Sequence, residues 1–123
     1  MMSIMKKFIA PSNLQFYISD VSIPESAFFG ENVRIVSNGL SLTVPCQYEF
    51  EGDTEVIIGA YDEVPKDGVL AFDGSIPTPG GFLLVTDVGI EELMKYPVSN
   101  ATTRLAIWTD GLEYPARVVV GVR

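Results

Sequence analysis

Hydrophobic and polar residues alternate with a period of two along much of this chain. The segments LQFYIS (residues 14–19) and LSLTV (residues 40–44) place an apolar side chain at every second position. This period indicates strands with one buried face. The turn Ser37-Asn38-Gly39 separates a second apolar run, residues 33–36, from residues 40–44, so we expect these two strands to pair as a hairpin.

Two other segments are apolar on both faces. EVIIGAY (residues 55–61) is rich in β-branched residues, which favours a central strand. Residues 102–108 and 116–122 are joined through Asp110-Gly111 and form a predicted hairpin. Because both of its strands are apolar on two faces, we expect this hairpin inside the sandwich rather than at a free edge.

The pattern between residues 73 and 98 is weaker. The segment DGSIPTPGG (residues 73–81) contains two prolines and three glycines, which favours a loop. The segment DVGIEELMKY (residues 87–96) begins with a capping Asp87, has Lys95 near its end and is followed by Pro97. These features predict one short helix near residues 88–95.

The resulting fold class is mainly β. About eight short strands and one short helix favour an antiparallel β-sandwich or a flattened barrel. The 123 residues, of which 47% are hydrophobic and 20% charged, suit a single globular domain covering residues 1–123. We expect residues 1–12 to form a flexible N-terminal arm of this domain.

Negative charge is concentrated in one quarter of the chain. The net charge is −8, and the stretch from residue 49 to residue 73 contains eight acids opposed only by Lys66. Such a field repels nucleic acid and anionic membranes, and it attracts basic partners. The basic residues are few and scattered, so we expect a basic protein partner, no nucleic acid and no membrane.

Several catalytic chemistries lack their residues here. There is no histidine, which excludes a Ser-His-Asp or Cys-His site within the chain. No EF-hand spacing is present, and a single cysteine is no zinc site. We therefore predict no catalytic residue, no metal and no cofactor. Paired carboxylates and tyrosines leave a small enzyme as a third alternative.

The single cysteine, Cys46, has no partner for an internal disulfide. It lies beside an apolar alternating run, so we expect it to be buried and inert. The apolar stretch that follows Lys6-Lys7 is too short for a signal peptide, and no run is long enough to cross a membrane. These features predict a cytoplasmic protein.

The C-terminal half resembles a known family. A Gly-led strand GGFLLVTDV (residues 80–88) is followed by ELMKYPV (92–98), RLAIWTD (104–110) and a closing strand. This order resembles the competence nuclease inhibitor family over residues 69–123. Those are small, acidic, β-rich proteins that bind and silence a DNA-degrading partner, and many immunity proteins of bacterial toxin systems have similar properties. The resemblance carries no functional residue over to this chain.

Charge and resemblance together suggest an immunity protein or inhibitor that covers the active cleft of a basic toxin enzyme. A nuclease is the first candidate for this enzyme. Acids would mimic the phosphates of the substrate, and an aromatic side chain would anchor the complex. The candidate partner-binding residues are Glu49, Glu51, Asp53, Glu55, Tyr61, Asp62, Glu63, Asp67 and Tyr114.

The alternative is a structural or assembly module of a phage particle or a bacterial surface appendage, in which the acids serve only solubility. The sequence is compatible with a monomer or a homodimer. A clean monomer would favour the inhibitor, and a symmetric oligomer would favour the structural module.

Overall fold

The computed structural model describes residues 4–11, 14–24, 34–47, 49–87 and 92–123. Within them, a 3-10 turn covers Glu49–Glu51, and no helix is long and apolar enough to cross a membrane. The strands are β1 (Met5–Ile9), β2 (Gln15–Asp20), β3 (Val36–Ser37), β4 (Ser41–Pro45), β5 (Thr54–Ala60), β6 (Val69–Pro77), β7 (Phe82–Thr86), β8 (Glu92–Pro97), β9 (Thr102–Thr109) and β10 (Arg117–Val122).

The strands form two five-stranded sheets. The order is β1-β5-β10-β9-β6 in the first sheet and β3-β4-β2-β7-β8 in the second. The predicted mainly β sandwich is confirmed, and the described sheets do not close into a barrel. The described strand pairs are antiparallel except β5 and β10, which run parallel at the centre of the first sheet. Each of these two strands also pairs antiparallel with a neighbour, β1 or β9.

The main core lies between the two sheets. Alternate residues of each strand point inward, among them Ile58 and Val120 from the first sheet and Phe16, Val44 and Val85 from the second. Each of these five side chains is fully buried. The period of two seen in the sequence therefore marks the inner face correctly.

A second, smaller core covers the outer face of the first sheet. Residues 61–67 cross this face, and Val64 packs with Ile57, Val119 and Trp108. A Cβ added at Gly121 would lie 3.3 Å from a methyl group of Val64, and one at Gly59 would lie 3.0 Å from it. Glycine at both positions lets the crossing segment lie directly on the sheet.

The hairpin predictions hold. The strands β3 and β4 pair antiparallel across the turn that contains Gly39, whose φ is +89°. The strands β9 and β10 also pair antiparallel, with neighbours on both sides, so this hairpin lies inside the sheet as expected. The run EVIIGAY supplies β5, which lies between two other strands. Residue 33, the start of one predicted strand, lies outside the described residues.

The predicted short helix near residues 88–95 is wrong over residues 92–95. Glu92–Pro97 forms β8, which pairs with β7. Met94 and Tyr96 are buried while Glu92 and Lys95 are exposed, so tertiary pairing outweighs the helix propensity of this segment. Residues 88–91 lie outside the described residues.

Two further segments differ from expectation. Asp73–Pro77, predicted as part of a loop, belongs to β6, whose edge position accommodates Pro77 at the end of the strand. Met5–Ile9, predicted as part of a flexible arm, forms β1 and pairs with β5. Lys7 also donates to the carbonyl oxygen of Leu93 over 2.7 Å, which links β1 to β8.

Candidate partner-binding surface

Four of the predicted acids lie in two groups, one before and one after β5. Glu51 and Asp53 precede the first residue of this strand, and Asp62 and Glu63 follow its last residue. Seven strand residues separate the two groups by about 20 Å. The predicted acids therefore do not form one continuous patch. The backbone of Glu49 lies in the 3-10 turn beside Glu51, and its side chain lies outside the described atoms.

Glu55 and Asp67 are held in ion pairs on the outer face of the first sheet. Nε of Arg117 lies 3.1 Å from Oε1 of Glu55, and its Nη1 lies 3.0 Å from Oδ1 of Asp67. Nζ of Lys6 lies 3.1 Å from the other oxygen of Glu55. The hydrogen bond from Arg117 lowers the pKa of Asp67. These two acids are thus largely neutralised within the protein.

Tyr61 is fixed among cations and a second aromatic ring. Its centroid lies 5.7 Å from that of Trp108, 4.9 Å from Nζ of Lys66 and 3.9 Å from the guanidinium carbon of Arg123. The ring is half-buried and closes the small outer core. Asp62 and Glu63, which follow it, are exposed. This group occupies the end of the sandwich where β5 and β10 end.

Tyr114 lies at the opposite end, in the segment that joins β9 to β10, and is half-buried. Asp110 shapes this segment because its carboxylate accepts hydrogen bonds from the backbone N–H groups of Leu112, at 3.1 Å, and Ala116, at 2.9 Å. Gly111 has a φ of +85°, which favours glycine. Of the predicted residues, Tyr114 therefore groups with Glu51, Asp53 and Asp67.

Backbone hydrogen bonds join this segment to the residues before β5. The N–H of Gln47 donates to the carbonyl oxygen of Pro115 over 3.0 Å, and that of Glu55 donates to Ala116 over 2.9 Å. The side-chain amide of Gln47 donates to the carbonyl oxygen of Asp53 over 3.0 Å. Gln47, residues 49–53 and residues 110–116 therefore form one surface, which we call the acidic end, together with Asp67 and the first residues of β6.

Large apolar side chains are exposed at the acidic end. Phe50 is 79% exposed, Leu112 63%, Val69 56% and Leu70 54%. Exposed apolar side chains beside exposed acids at one end of a domain indicate a candidate interaction site. The sequence pattern did not predict these four residues as part of a binding surface. Phe50 and Leu112 are apolar residues that stand next to turn residues and outside the alternating segments. This position was the signal in the sequence that could have indicated their exposure.

An open groove of about 180 Å³ runs along the acidic end. Val69, Leu112 and Pro115 line one part of it, and Arg34 and Ile35 line another. The exposed acids of this end are Glu51, Asp53, Asp67, Asp110 and Glu113. Apolar walls with a mainly acidic rim match the composition of a protein–protein interface better than that of a catalytic cleft.

The described residues contain no group of three or more Cys, Asp or Glu side chains placed to hold a metal ion. Cys46 is fully buried, and this burial raises the pKa of its thiol to about 12. The prediction that Cys46 is buried is confirmed, and its protonated thiol is a poor nucleophile.

No protein-family model and no curated protein sequence matches this chain. Solved structures do match it. The fold is similar to that of ComJ. This protein from Bacillus subtilis is described as the inhibitor of the DNA degrading activity of NucA, and the two structures superpose with a TM-score of 0.73 at 7% identity, over 99% of this chain and 97% of ComJ. The product of crocagin biosynthetic gene J matches with a TM-score of 0.58 at 10% identity, over 98% of this chain and 96% of the other.

The resemblance to the competence nuclease inhibitor family is thus confirmed as a likeness of fold. It was visible in the sequence over residues 69–123, and the likeness to ComJ extends over nearly the whole chain. At this level of identity the likeness concerns the backbone arrangement, and the binding residues have to be argued from this chain alone.

Proposed function

We propose that this protein is a non-catalytic inhibitor that binds a basic protein through its acidic end, with a nuclease as the first candidate for the partner. The presence of exposed apolar side chains and exposed acids at the same end of the sandwich carries the proposal. The fold, similar to that of a nuclease inhibitor, supports an inhibitory role in general.

The charge arrangement suggests how such a complex forms. Glu51 and Asp53 are exposed and form no ion pair with any residue that the structure describes. Their charge therefore reaches solvent and would steer a basic partner before contact. Phe50 and Leu112 would then be buried against the partner and contribute most of the affinity. A cytoplasmic location is part of the proposal, and the free thiol of Cys46 is compatible with a reducing compartment.

The test compares substitutions at the two ends of the sandwich. The tagged protein is used to capture partners from a lysate of the source organism at low and at moderate salt. Mass spectrometry identifies the captured protein, and a DNA-degradation assay measures its activity with and without the inhibitor. We expect a single basic nuclease in a one-to-one complex, whose activity falls when the inhibitor is added.

The variant Glu51→Lys/Asp53→Lys should slow association, and its deficit should shrink at higher salt, where the screening length falls to about 8 Å or less. The variant Phe50→Ser/Leu112→Ser should instead accelerate dissociation with little salt dependence. The matched control, Asp62→Lys/Glu63→Lys at the other end, should retain full inhibition. If only particle proteins or the protein itself are recovered, unaffected by these changes, the structural-module alternative is favoured. If the control abolishes inhibition instead, the acidic end is not the binding surface.

A further inference from the structure

The end of the sandwich opposite the acidic end contains a pocket of about 280 Å³. It opens between the inner faces of the two sheets, where β5, β8 and β10 end. Its apolar wall includes Ala60, Val98 and Val122. Since an apolar cavity of about 150 Å³ holds benzene, this pocket has room for one small ring with a substituent.

Tyr96 places one polar atom in this wall. Its side chain points from β8 into the main core, as that of Met94 does, and is only 2% exposed. Its hydroxyl forms no hydrogen bond with any residue that the structure describes, and it is not sealed from solvent either. The surface that remains open on this side chain therefore faces the pocket that Tyr96 lines. Buried tyrosine hydroxyls usually have a hydrogen-bond partner, which a ligand could supply here.

The other polar side chains of the wall are engaged or lie at the rim. Oγ1 of Thr78 donates to the carbonyl oxygen of Asn100 over 2.6 Å, so it has to accept from Oγ1 of Thr103, 2.8 Å away. The hydroxyl hydrogen of Thr103 is thus committed. The side chains of Ser99 and Asn100 are exposed. Among the described residues of the wall, Tyr96 is therefore the buried side chain whose hydroxyl hydrogen is uncommitted.

The charges around the pocket favour a neutral ligand. Burial, and then the negative charge of Glu63, raise the pKa of Tyr96, so its phenol remains a protonated donor at neutral pH. The same two influences disfavour a negative charge on a bound molecule. Arg123 also lines the pocket, but its guanidinium stacks on Tyr61, which belongs to the small core on the outer face of the first sheet. It therefore supplies no countercharge inside the pocket.

We propose that this pocket binds a small neutral alcohol with an apolar body. Its hydroxyl accepts a hydrogen bond from the phenol of Tyr96, and its body lies against Ala60, Val98 and Val122. The apolar wall removes the body of the ligand from water, and the ligand hydroxyl gives Tyr96 the partner that the described residues do not provide. The site is independent of the acidic end and of the proposed inhibitor function.

The test is a titration of the isotope-labelled protein with three compounds of similar size: benzyl alcohol, toluene and benzoate. Backbone amide shifts are followed by NMR. We expect saturable shifts at residues 96–100 and 122–123, with a dissociation constant of about 1 mM or below for benzyl alcohol. Benzoate should bind more weakly by about tenfold or more. Benzoate binding as tightly as benzyl alcohol, or shifts spread over the surface without saturation, would overturn the proposal.

Variants separate the hydroxyl from the cavity. Tyr96→Phe should weaken benzyl alcohol by about three- to tenfold through the loss of one hydrogen bond, and it should not weaken toluene. Tyr61→Phe is the matched control, since it removes a hydroxyl from the outer face of the same end, and it should change neither affinity. Ala60→Leu should fill the pocket and weaken both compounds alike.

A thermal unfolding curve shows that each variant is folded before its affinities are compared. If Tyr96→Phe weakens benzyl alcohol no more than toluene, the phenol does not recognise the ligand hydroxyl and the proposal is wrong. If Ala60→Leu leaves both affinities unchanged, the compounds bind elsewhere, and the proposal is wrong for that reason.

Discussion

Arg117 and Glu55 lie opposite each other in the parallel pair of β5 and β10, and Nε of Arg117 donates to Oε1 of Glu55 over 3.1 Å. The same arginine reaches Asp67, so one cation joins the sheet to the end of the segment that crosses it. Two of the acids that appear in the sequence as a binding patch thus have a structural role.

The variant Arg117→Gln should reduce stability and strengthen the field of the acidic end. It removes two ion pairs, one of them with a Glu55 side chain that is only 20% exposed. We expect the free energy of unfolding to fall by about 1 kcal/mol. The loss of a positive charge beside Asp67 should also speed association with a basic partner at low salt. Urea denaturation and association kinetics measure the two effects.

The control is Arg104→Gln. Its pair with Asp73 is more exposed, at 54% and 32% for the two side chains, and it lies away from the acidic end. We expect no measurable change in stability and an unchanged association rate. Equal effects of the two variants would mean that the Arg117 network has no special role.

Asp20 should make stability depend on acid pH. This fully buried carboxylate accepts hydrogen bonds from the backbone N–H of Ser22 at 2.9 Å and of Gly80 at 3.0 Å, and from the hydroxyl of Ser22. Burial raises the pKa of Asp20, but these hydrogen bonds outweigh burial and lower it overall. The folded protein therefore binds this proton less readily than the unfolded chain, whose carboxyl has a pKa of about 3.9.

The stability contributed by Asp20 is thus complete above the pKa of the unfolded chain and is lost as pH falls through the lower folded pKa. Asp20→Asn should be less stable at neutral pH by about 1–3 kcal/mol and should lose less on acidification. Ser22→Ala, which removes one donor, should behave in between. Unfolding curves from neutral to acid pH check this, and parallel pH profiles for the wild type and Asp20→Asn would contradict it.

Cys46 should react with thiol reagents only after unfolding. Its side chain has no exposed surface, and burial raises the thiol pKa to about 12, so thiolate is scarce at mildly alkaline pH. Labelling with Ellman's reagent should be negligible in the native protein and complete in guanidinium chloride. Ser75→Cys, which adds a thiol at an exposed position of β6, should label fully in the native state. Rapid native labelling of Cys46 would show that this core opens readily.

Gly68 should tolerate no side chain. A Cβ at this position would collide with the carbonyl oxygen of Thr109, because β6 begins beside the end of β9. Gly68→Ala should therefore lower the free energy of unfolding by about 1–3 kcal/mol, since the backbone has to shift. Ser75→Ala, at an exposed position of β6, should be nearly neutral. Equal midpoints in urea for the two variants would contradict this prediction.

Much of the fold could be predicted because the apolar positions that alternate along the sequence are the positions whose side chains are buried. The β9–β10 hairpin is apolar on both faces, and both faces are covered, one by the main core and the other by Val64 and Tyr61. The segment ELMKYP was misleading since its first four residues are good helix formers. Its alternation of Met94 and Tyr96 with exposed residues was the correct signal, and pairing with β7 determines the outcome.

The candidate site was harder to predict than the fold. The sequence gives the number of acids, but their positions depend on the length of each strand and on the face of the sheet to which each side chain points. Glu51 and Glu55 are four residues apart, yet one is exposed at an end and the other is paired on a sheet face. Phe50 and Leu112, the exposed apolar residues beside the acids, became visible only when two distant segments were joined through Gln47 and Pro115.

The parallel pairing of β5 with β10 also has a consequence for folding kinetics. The centre of the first sheet joins residues 54–60 to residues 117–122, so its formation closes a long loop. The hairpins β3–β4 and β9–β10 are local and can form early. We therefore expect a slow, cooperative folding step in which β5 meets a preformed β9–β10 hairpin, on the timescale of β-sandwiches rather than that of helical bundles.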